Sequence, residues 1–258
     1  MSMFASFTFW QGRLKAAGIH LAISLVVAAL AALLVFLVWY PYPYREISGG
    51  RELFLIVVAV DVVMGPLMTL AVFNTAKPRK ELRRDLGIIG LLQLAALAYG
   101  LWTVAVARPV HLVFEIDRFR VVHAIDVPPE LINRAPPELR QLPLTGPTLL
   151  SVRDFIDSKE NFDATMAALQ GIAIGARPDF WQPYLKGKQQ ILAKAKSLAE
   201  LKARFPAYKK EIDSALQASG HAPIGVGYIP MVGRQTFWTV LIDLNTAEVL
   251  AFVPLDSF

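Results

Sequence analysis

Three long apolar stretches occupy most of the first 107 residues of this chain. They cover Ile19–Tyr40, Leu53–Phe73 and Leu86–Ala107, each 21 or 22 residues long. An α-helix of that length extends roughly 32 Å, which is enough to cross a hydrocarbon core of about 30 Å. The sequence therefore predicts three transmembrane helices, and any function has to be exercised at a bilayer.

The basic residues that flank these stretches are unequally distributed. Arg13 and Lys15 precede the first stretch, and five basic residues lie in the second connection, Asn74–Asp85, whereas the first connection, Pro41–Glu52, holds two. The positive-inside rule then predicts a cytoplasmic N-terminus and second connection, with residues 108–258 on the opposite side. In a bacterium this side is the periplasm, and the membrane is the inner membrane. Because the first apolar run has full spanning length, it is not interpreted as a cleavable signal.

Residues near both ends of the first stretch are interpreted as interfacial. His20 lies near the predicted cytoplasmic end, and four aromatic residues, Trp39, Tyr40, Tyr42 and Tyr44, cluster where the stretch leaves the membrane. Because aromatic rings are enriched at the level of the lipid headgroups, this cluster predicts an aromatic belt.

Asp61 is the one clearly ionised residue inside the three stretches. A carboxylate in the middle of a membrane span costs a few kcal/mol and usually faces a partner. One interpretation is a polar contact to another membrane helix, or a proton site. The other is a neutral or hydrogen-bonded Asp61 that is satisfied within its own bundle, by Thr69, Thr103, Gln93 or a backbone carbonyl freed at Pro66.

The residues around Asp61 also favour contact between helices. Gly65-Pro66 predicts a kink, and small residues such as Gly87 and Gly90 in the third stretch favour close packing of helices. The predicted partner-binding residues are therefore Asp61, Gly65, Pro66 and Thr69.

The remainder of the chain, residues 108–258, has the composition of an ordinary globular domain. It carries 17 Lys and Arg against 16 Asp and Glu, whereas residues 1–107 carry 9 against 5. The near-neutral balance of the domain does not suggest nucleic-acid binding, which needs a basic face. The chain contains no cysteine, which excludes disulfides, cysteine metal sites and thiol catalysis.

Periodicity predicts that this is a small α+β domain ending in an antiparallel sheet. Residues Thr236–Asp243 alternate between two apolar faces, which predicts a central strand paired through a Leu244-Asn245-Thr246 turn with Ala247–Val253. The other predicted elements are strands at Val110–Glu115, Phe119–Ile125 and Ile224–Met231, a proline-rich loop at Pro128–Pro147, and helices at Phe162–Gly171, Gly187–Phe205 and Ala207–Ala218.

No catalytic or metal-binding motif stands out, and neither a cofactor nor a metal is predicted. The four histidines, at positions 20, 111, 123 and 221, are dispersed. His111 and His123 could face each other across the first hairpin, where a packing pair is favoured over a metal site. The sequence thus indicates a protein that is not an enzyme, and the alternative is a membrane-anchored periplasmic sensor or enzyme with an unidentified small-molecule ligand.

Five runs of residues carry a resemblance to a known family. They are GIHLAISLVVAALAALLVFLVWYP (18–41), VDVVMGPLMTLAVF (60–73), LLQLAALAYGLW (91–102), RPVHLVFEIDRFRVVHA (108–124) and WTVLIDLNTAEVLAFVPLD (238–256). Together and in this order they resemble the type IV pilin accessory proteins of the TfpX/TfpZ type. The resemblance implies an inner-membrane accessory protein, or chaperone, that helps a pilin to accumulate or to assemble into pili. It supplies no catalytic residues, and it does not identify the pilin.

Overall fold

A computed structural model describes residues 2–258 of the chain, with side chains from Trp10 onward. The chain divides into two compact units. The membrane unit comprises the described residues up to Val38 together with Gly50–Ala105, and the sheet unit comprises Trp39–Gly49 together with Val106–Phe258. The connection between the first two apolar stretches thus belongs to the same unit as the C-terminal part of the chain.

The membrane unit contains three helices that are long and apolar enough to cross a membrane. These spans cover Trp10–Trp39, Gly50–Val72 and Arg79–Val106. The first span consists of α1 (Ser2–Leu33) and a π-helical end, and the third is α5 (Arg79–Val106). Three spanning helices agree with the prediction from the apolar stretches.

The second span changes its helical geometry at the predicted kink. It begins as α3 (Gly50–Ala59), continues as a π-helix over Val60–Met64 and ends as α4 (Gly65–Val72). Pro66 has no backbone N–H to donate to the preceding turn, and a local shift to π-helical hydrogen bonding accommodates that loss. Asp61 therefore lies in the π-helical turn just before Pro66.

The sheet unit is built on one eight-stranded sheet. Its strands are β1 (Pro109–Glu115), β2 (Arg118–His123), β3 (Thr148–Val152), β4 (Trp181–Pro183), β5 (Lys196–Ser197), β6 (Val226–Val232), β7 (Phe237–Asp243) and β8 (Val249–Val253). The order is β4-β3-β1-β2-β6-β7-β8, and the short β5 pairs with β6. The C-terminal strands β6, β7 and β8 pair antiparallel as predicted, but the complete sheet is mixed, because β1 pairs with β3 and β2 with β6 in parallel. The C-terminal hairpin is confirmed, since β7 pairs antiparallel with β8.

Both faces of the sheet are covered, and β7 contributes to both. Val240 and Ile242 belong to one apolar core, and the intervening Leu241 belongs to another. The second of these cores lies under α8 (Leu198–Arg204) and α9 (Lys209–Ala218). This is the two-faced burial that the alternation in the sequence predicts for a central strand.

The segment Trp39–Gly49 forms part of the core of the sheet unit. It contains the short helix α2 (Tyr44–Ile47). Tyr40 and Ile47 are fully buried, and Tyr44 packs edge-on against Phe252 with ring centroids 6.0 Å apart. The predicted aromatic belt is therefore wrong for Tyr40 and Tyr44, because these rings are buried in protein.

The helices of the sheet unit differ from the prediction in one informative place. The expected single helix over Gly187–Phe205 is interrupted, with α7 at Lys188–Lys194 and α8 after it. Lys196 and Ser197 between them pair with Tyr228 and Gly227 as β5. The Ser197 side chain accepts a hydrogen bond from the backbone N–H of Glu200 and so caps α8. The remaining long helix, α6, covers Ser158–Leu169.

Candidate functional site

Three of the four predicted partner-binding residues lie on the inner face of the second span. Asp61, Gly65 and Thr69 follow each other at intervals of four residues and are all buried, with 7% of Asp61 exposed. Pro66 lies beside this row and is half-buried. The structure therefore brings Asp61, Gly65 and Thr69 onto one helix face, and that face packs against the other helices of the membrane unit.

Gly65 lets the third span approach the second closely. A Cβ atom at this position would overlap the side-chain amide of Gln93. From that position Nε2 of Gln93 donates a hydrogen bond of 3.2 Å to the backbone carbonyl of Asp61. The glycine and the amide together join the second and third spans, and the acceptor is a backbone oxygen in the π-helical turn.

Thr69 joins the second span to the first. Its hydroxyl forms a hydrogen bond with Nδ1 of His20. His20 thus contributes to the contact between the first and second spans. Thr103, another predicted partner of Asp61, donates instead to the backbone carbonyl of Tyr99 at 3.0 Å. Neither threonine binds the carboxyl group of Asp61.

The carboxyl group of Asp61 is left with an unused acceptor. Its Oδ1 atom is buried and has no hydrogen-bond partner among the described residues. The Asp61 side chain lines a cleft of about 160 Å³ between the first and third spans, which also has His20, Ser24, Gln93 and Gly90 in its wall. In a bilayer, an unpaired acceptor has no water to satisfy it. The cleft therefore presents an unsatisfied carboxyl oxygen within a mostly apolar wall.

Ser24 is the member of this site that the sequence analysis missed. Its side chain is buried, with 6% exposed. It follows His20 by four residues in the first span, so both side chains lie on one helix face. That spacing of two polar residues in an apolar run is the signal by which the sequence could have indicated the face of the first span that turns inward.

A larger cleft, of about 580 Å³, lies in the sheet unit beside the end of β2. Two ion pairs involve residues that line it. Nε of Arg120 lies 2.5 Å from Oε1 of the buried Glu115, and Nδ1 of His123 lies 3.0 Å from Oδ2 of Asp126. The Asp126 carboxyl also accepts the backbone N–H of His123 at 3.1 Å. These contacts stabilise the pairing of β1 with β2 and cap the turn that follows β2.

The hydrogen bonds to Asp126 also shift its acidity. Burial acts to raise the pKa of Asp126, but the hydrogen bonds and positive charge supplied by His123 outweigh it and hold the pKa below its ordinary value. Asp126 therefore remains a carboxylate near neutral pH and keeps its cap on the turn that follows β2.

The two histidines of the first hairpin do not face each other. An irregularity in the β1–β2 pairing places His111 opposite Val122 and His123 opposite Pro109. His111 instead packs edge-on against Trp181, with ring centroids 4.6 Å apart. Among the residues that the structure describes, no group of three or more His, Cys, Asp or Glu side chains could hold a metal ion.

Comparison with known proteins supplies the identity that the site alone does not. A fimbrial assembly protein of serogroup I from Dichelobacter nodosus is 37% identical over 246 residues, covering 95% of both chains. The chain belongs to the family of fimbrial assembly proteins. A second fimbrial assembly protein from the same organism, of serogroup E1, is 35% identical over 95% of both chains. The resemblance to type IV pilin accessory proteins is thereby confirmed.

Two further matches to this family cover only part of the chain. The family model described as "Fimbrial assembly protein FimB" matches residues 8–49, which contain the first span and the segment docked in the sheet unit. A Dichelobacter nodosus fimbrial assembly protein of serogroups C1 and C2 is 44% identical over 113 residues, covering 44% of this chain. No solved structure matches the chain.

Proposed function

We propose that this fimbrial assembly protein is a non-enzymatic accessory protein that binds a type IV pilin in the inner membrane and aids its stability or its assembly into pili. The single observation that carries the proposal is the match to fimbrial assembly proteins over 95% of both chains. A role in pilus assembly needs contact with the subunit that is assembled. A chain with three spans and a large sheet unit can reach both the membrane part and the globular part of that subunit.

The proposed orientation has the N-terminus and Asn74–Asp85 in the cytoplasm and the sheet unit in the periplasm. One observation supports the direction of insertion, and a second supports the number of crossings. The basic residues are concentrated in the N-terminal flank and the second connection. The segment Trp39–Gly49 and residues Val106–Phe258 form one compact unit, which requires both to lie on the same side of the membrane. The second and third spans then take the chain across the bilayer and back.

The proposed membrane contact is organised by Asp61, Gly65, Pro66 and Thr69. Gly65 and Thr69 fix the second span against the third and first spans, and Pro66 follows the π-helical turn that carries Asp61. Asp61 is left to act on the partner, since its Oδ1 atom has no hydrogen-bond partner among the described side chains. Gly65, Pro66 and Thr69 therefore position Asp61.

The alternative of a ligand-binding sensor or enzyme would use the large cleft of the sheet unit, where two of the polar groups are already paired. Arg120 there is paired with Glu115, and His123 is paired with Asp126. A binding pocket needs convergent polar groups that remain available to a ligand. The match to fimbrial assembly proteins, rather than the cleft, favours an assembly function over a small-molecule function.

The experiment that tests the proposal is deletion of the gene in a piliated host, followed by complementation with the full chain. The half-life of pilin in the inner membrane and the number of surface pili are measured in the same cells. The proposal predicts that one or both fall on deletion and recover on complementation. Unchanged pilin turnover together with normal piliation would contradict it.

A further inference from the structure

The third span leaves part of its backbone uncovered at two glycines. Cβ atoms added at Gly87 and Gly90 would meet nothing within 4 Å. Gly90, but not Gly87, is among the described residues that line the cleft beside Asp61. The rest of the cleft wall is largely apolar, with Ile23 and Val27 from the first span and Leu94 and Leu97 from the third. The cleft thus has a largely apolar wall and reaches the backbone of the third span at Gly90.

One carboxyl oxygen of Asp61 has no donor among the described residues, although His20, Ser24 and Gln93 line the same cleft. Gln93 is bound to the Asp61 backbone carbonyl, and His20 is bound to Thr69. Asp61 is more than nine-tenths buried, and its Oδ1 atom is unpartnered among the described residues. Because lipid acyl chains carry no hydrogen-bond donor, lipid in the cleft would leave this oxygen unsatisfied.

We infer that the cleft at Gly90 receives a membrane helix of the partner, and that this helix carries a side-chain hydrogen-bond donor within its apolar stretch that binds the Asp61 carboxyl group. The inference rests on the proposed function, under which the partner helix is that of the pilin. It adds the place of contact and the chemistry that the pilin must supply there. The donor is a hydroxyl, an amide or an ammonium group, each of which can satisfy a carboxyl oxygen.

Gly90 and the Asp61 carboxyl group act together at the cleft. A glycine at the contact lets two helix backbones approach closely, which strengthens the packing on which association in lipid depends. Close approach also brings a short donor side chain within reach of Asp61, which lies deeper in the bundle. A partner helix without the donor would pack against Gly90 and leave Oδ1 unpaired, so the carboxyl group selects among apolar helices.

The test compares pilin recovery with the tagged full chain and with four variants, purified from detergent-solubilised membranes at equal protein levels. Gly90→Leu fills the cleft, and Gly87→Leu is the matched control on the same helix, since both positions have open space around them. Asp61→Leu removes the acceptor, whereas Asp61→Asn retains a side-chain oxygen that can accept the bond. Fluorescence-detected gel filtration checks that each variant remains folded.

The inference predicts that Gly90→Leu and Asp61→Leu lower the recovered pilin by about three- to thirtyfold, the range given by polar and packing contacts between membrane helices. Gly87→Leu should recover nearly as much pilin as the unmodified chain, and Asp61→Asn should recover more pilin than Asp61→Leu. If Gly90→Leu recovers as much pilin as Gly87→Leu, the cleft is not the contact, while the proposed function stands. If the unmodified chain itself recovers no pilin, the proposed function fails and the inference fails with it.

Discussion

The backbone carbonyl of Ile47 accepts a hydrogen bond of 3.1 Å from the backbone N–H of Arg234, nearly 190 residues further along the chain. The N–H of Gln235 donates to the same oxygen at 3.3 Å. The Ile47 side chain is fully buried in the core that also contains Met231 and Trp238. The connection between the first two spans is therefore a structural part of the C-terminal sheet unit.

This relationship predicts that a substitution in the connection destabilises the sheet unit. Ile47→Ala removes fully buried apolar volume and should lower the free energy of unfolding by about 2–5 kcal/mol. Thermal unfolding of the detergent-solubilised full chain, followed by tryptophan fluorescence, measures the change. Arg45→Ala is the control on α2, since the Arg45 side chain is 43% exposed, and it should change stability little. Equal melting of the two variants would show that Ile47 is not a core residue.

The proposed orientation can be tested on the full chain because the chain contains no cysteine. Single cysteines at Lys80, in the second connection, and at Lys159, whose side chain is 83% exposed in the sheet unit, are labelled with a membrane-impermeant maleimide. In intact spheroplasts Lys159→Cys should react, and Lys80→Cys should react only after the membrane is opened. The opposite pattern would reverse the orientation and remove contact with a periplasmic pilin head.

Burial on both faces of β7 predicts intolerance to charge at its centre. Val240 is fully buried, so Val240→Asp would place an unpaired carboxylate in the core and cost about 3–5 kcal/mol. Phe237→Asp on the same strand is the control, because Phe237 is 50% exposed. Limited proteolysis of membranes should degrade the sheet unit of the Val240 variant first. Equal protease resistance of the two variants would contradict the two-faced burial of β7.

His111 predicts a dependence of stability on pH. Burial disfavours its charged form and lowers its pKa to about 4. The unfolded chain, with an ordinary histidine pKa of about 6.5, binds this proton at higher pH than the folded chain does. Stability from His111 is therefore present above about pH 6.5 and is lost as the pH falls towards 4, by roughly 3 kcal/mol at most.

The matched variant for this prediction is His111→Phe, which retains an aromatic ring against Trp181 but cannot titrate. Unfolding of the full chain in urea is measured at several pH values between 7 and 4.5. The unmodified chain should lose more stability on acidification than the variant does. The same slope in both would show that the proton on His111 does not distinguish the folded from the unfolded state.

Local sequence patterns predict several elements of this chain correctly. The three spans follow from apolar length, α9 ends at Ser219-Gly220 with a positive φ of 74° at Gly220, and β7 pairs with β8 across a short polar turn. The break between α7 and α8 also had a local signal, since Ser197 and Glu200 have the spacing of a capping box.

Long-range pairing is what the sequence could not supply. The strands β3 and β4 have five and three residues, and their partners, β1 and each other, are set by tertiary contacts. The burial of Tyr40 and Tyr44 had no local sign either, because tyrosines at a membrane exit are also typical of an interfacial belt. For the candidate site, Asp61 is evident from its charge, but the contacts that Gln93 and His20 make between the spans are long-range and have no local signal.

The most direct measurement of the central claim is energy transfer between this chain and its pilin in reconstituted bilayers. A donor dye on a single cysteine at Lys159 and an acceptor dye on the pilin are compared with an acceptor on an unrelated single-span protein at the same density. The account predicts transfer that saturates with pilin and exceeds the random crowding seen with the unrelated protein. Transfer to pilin that equals the unrelated protein at every density would contradict it.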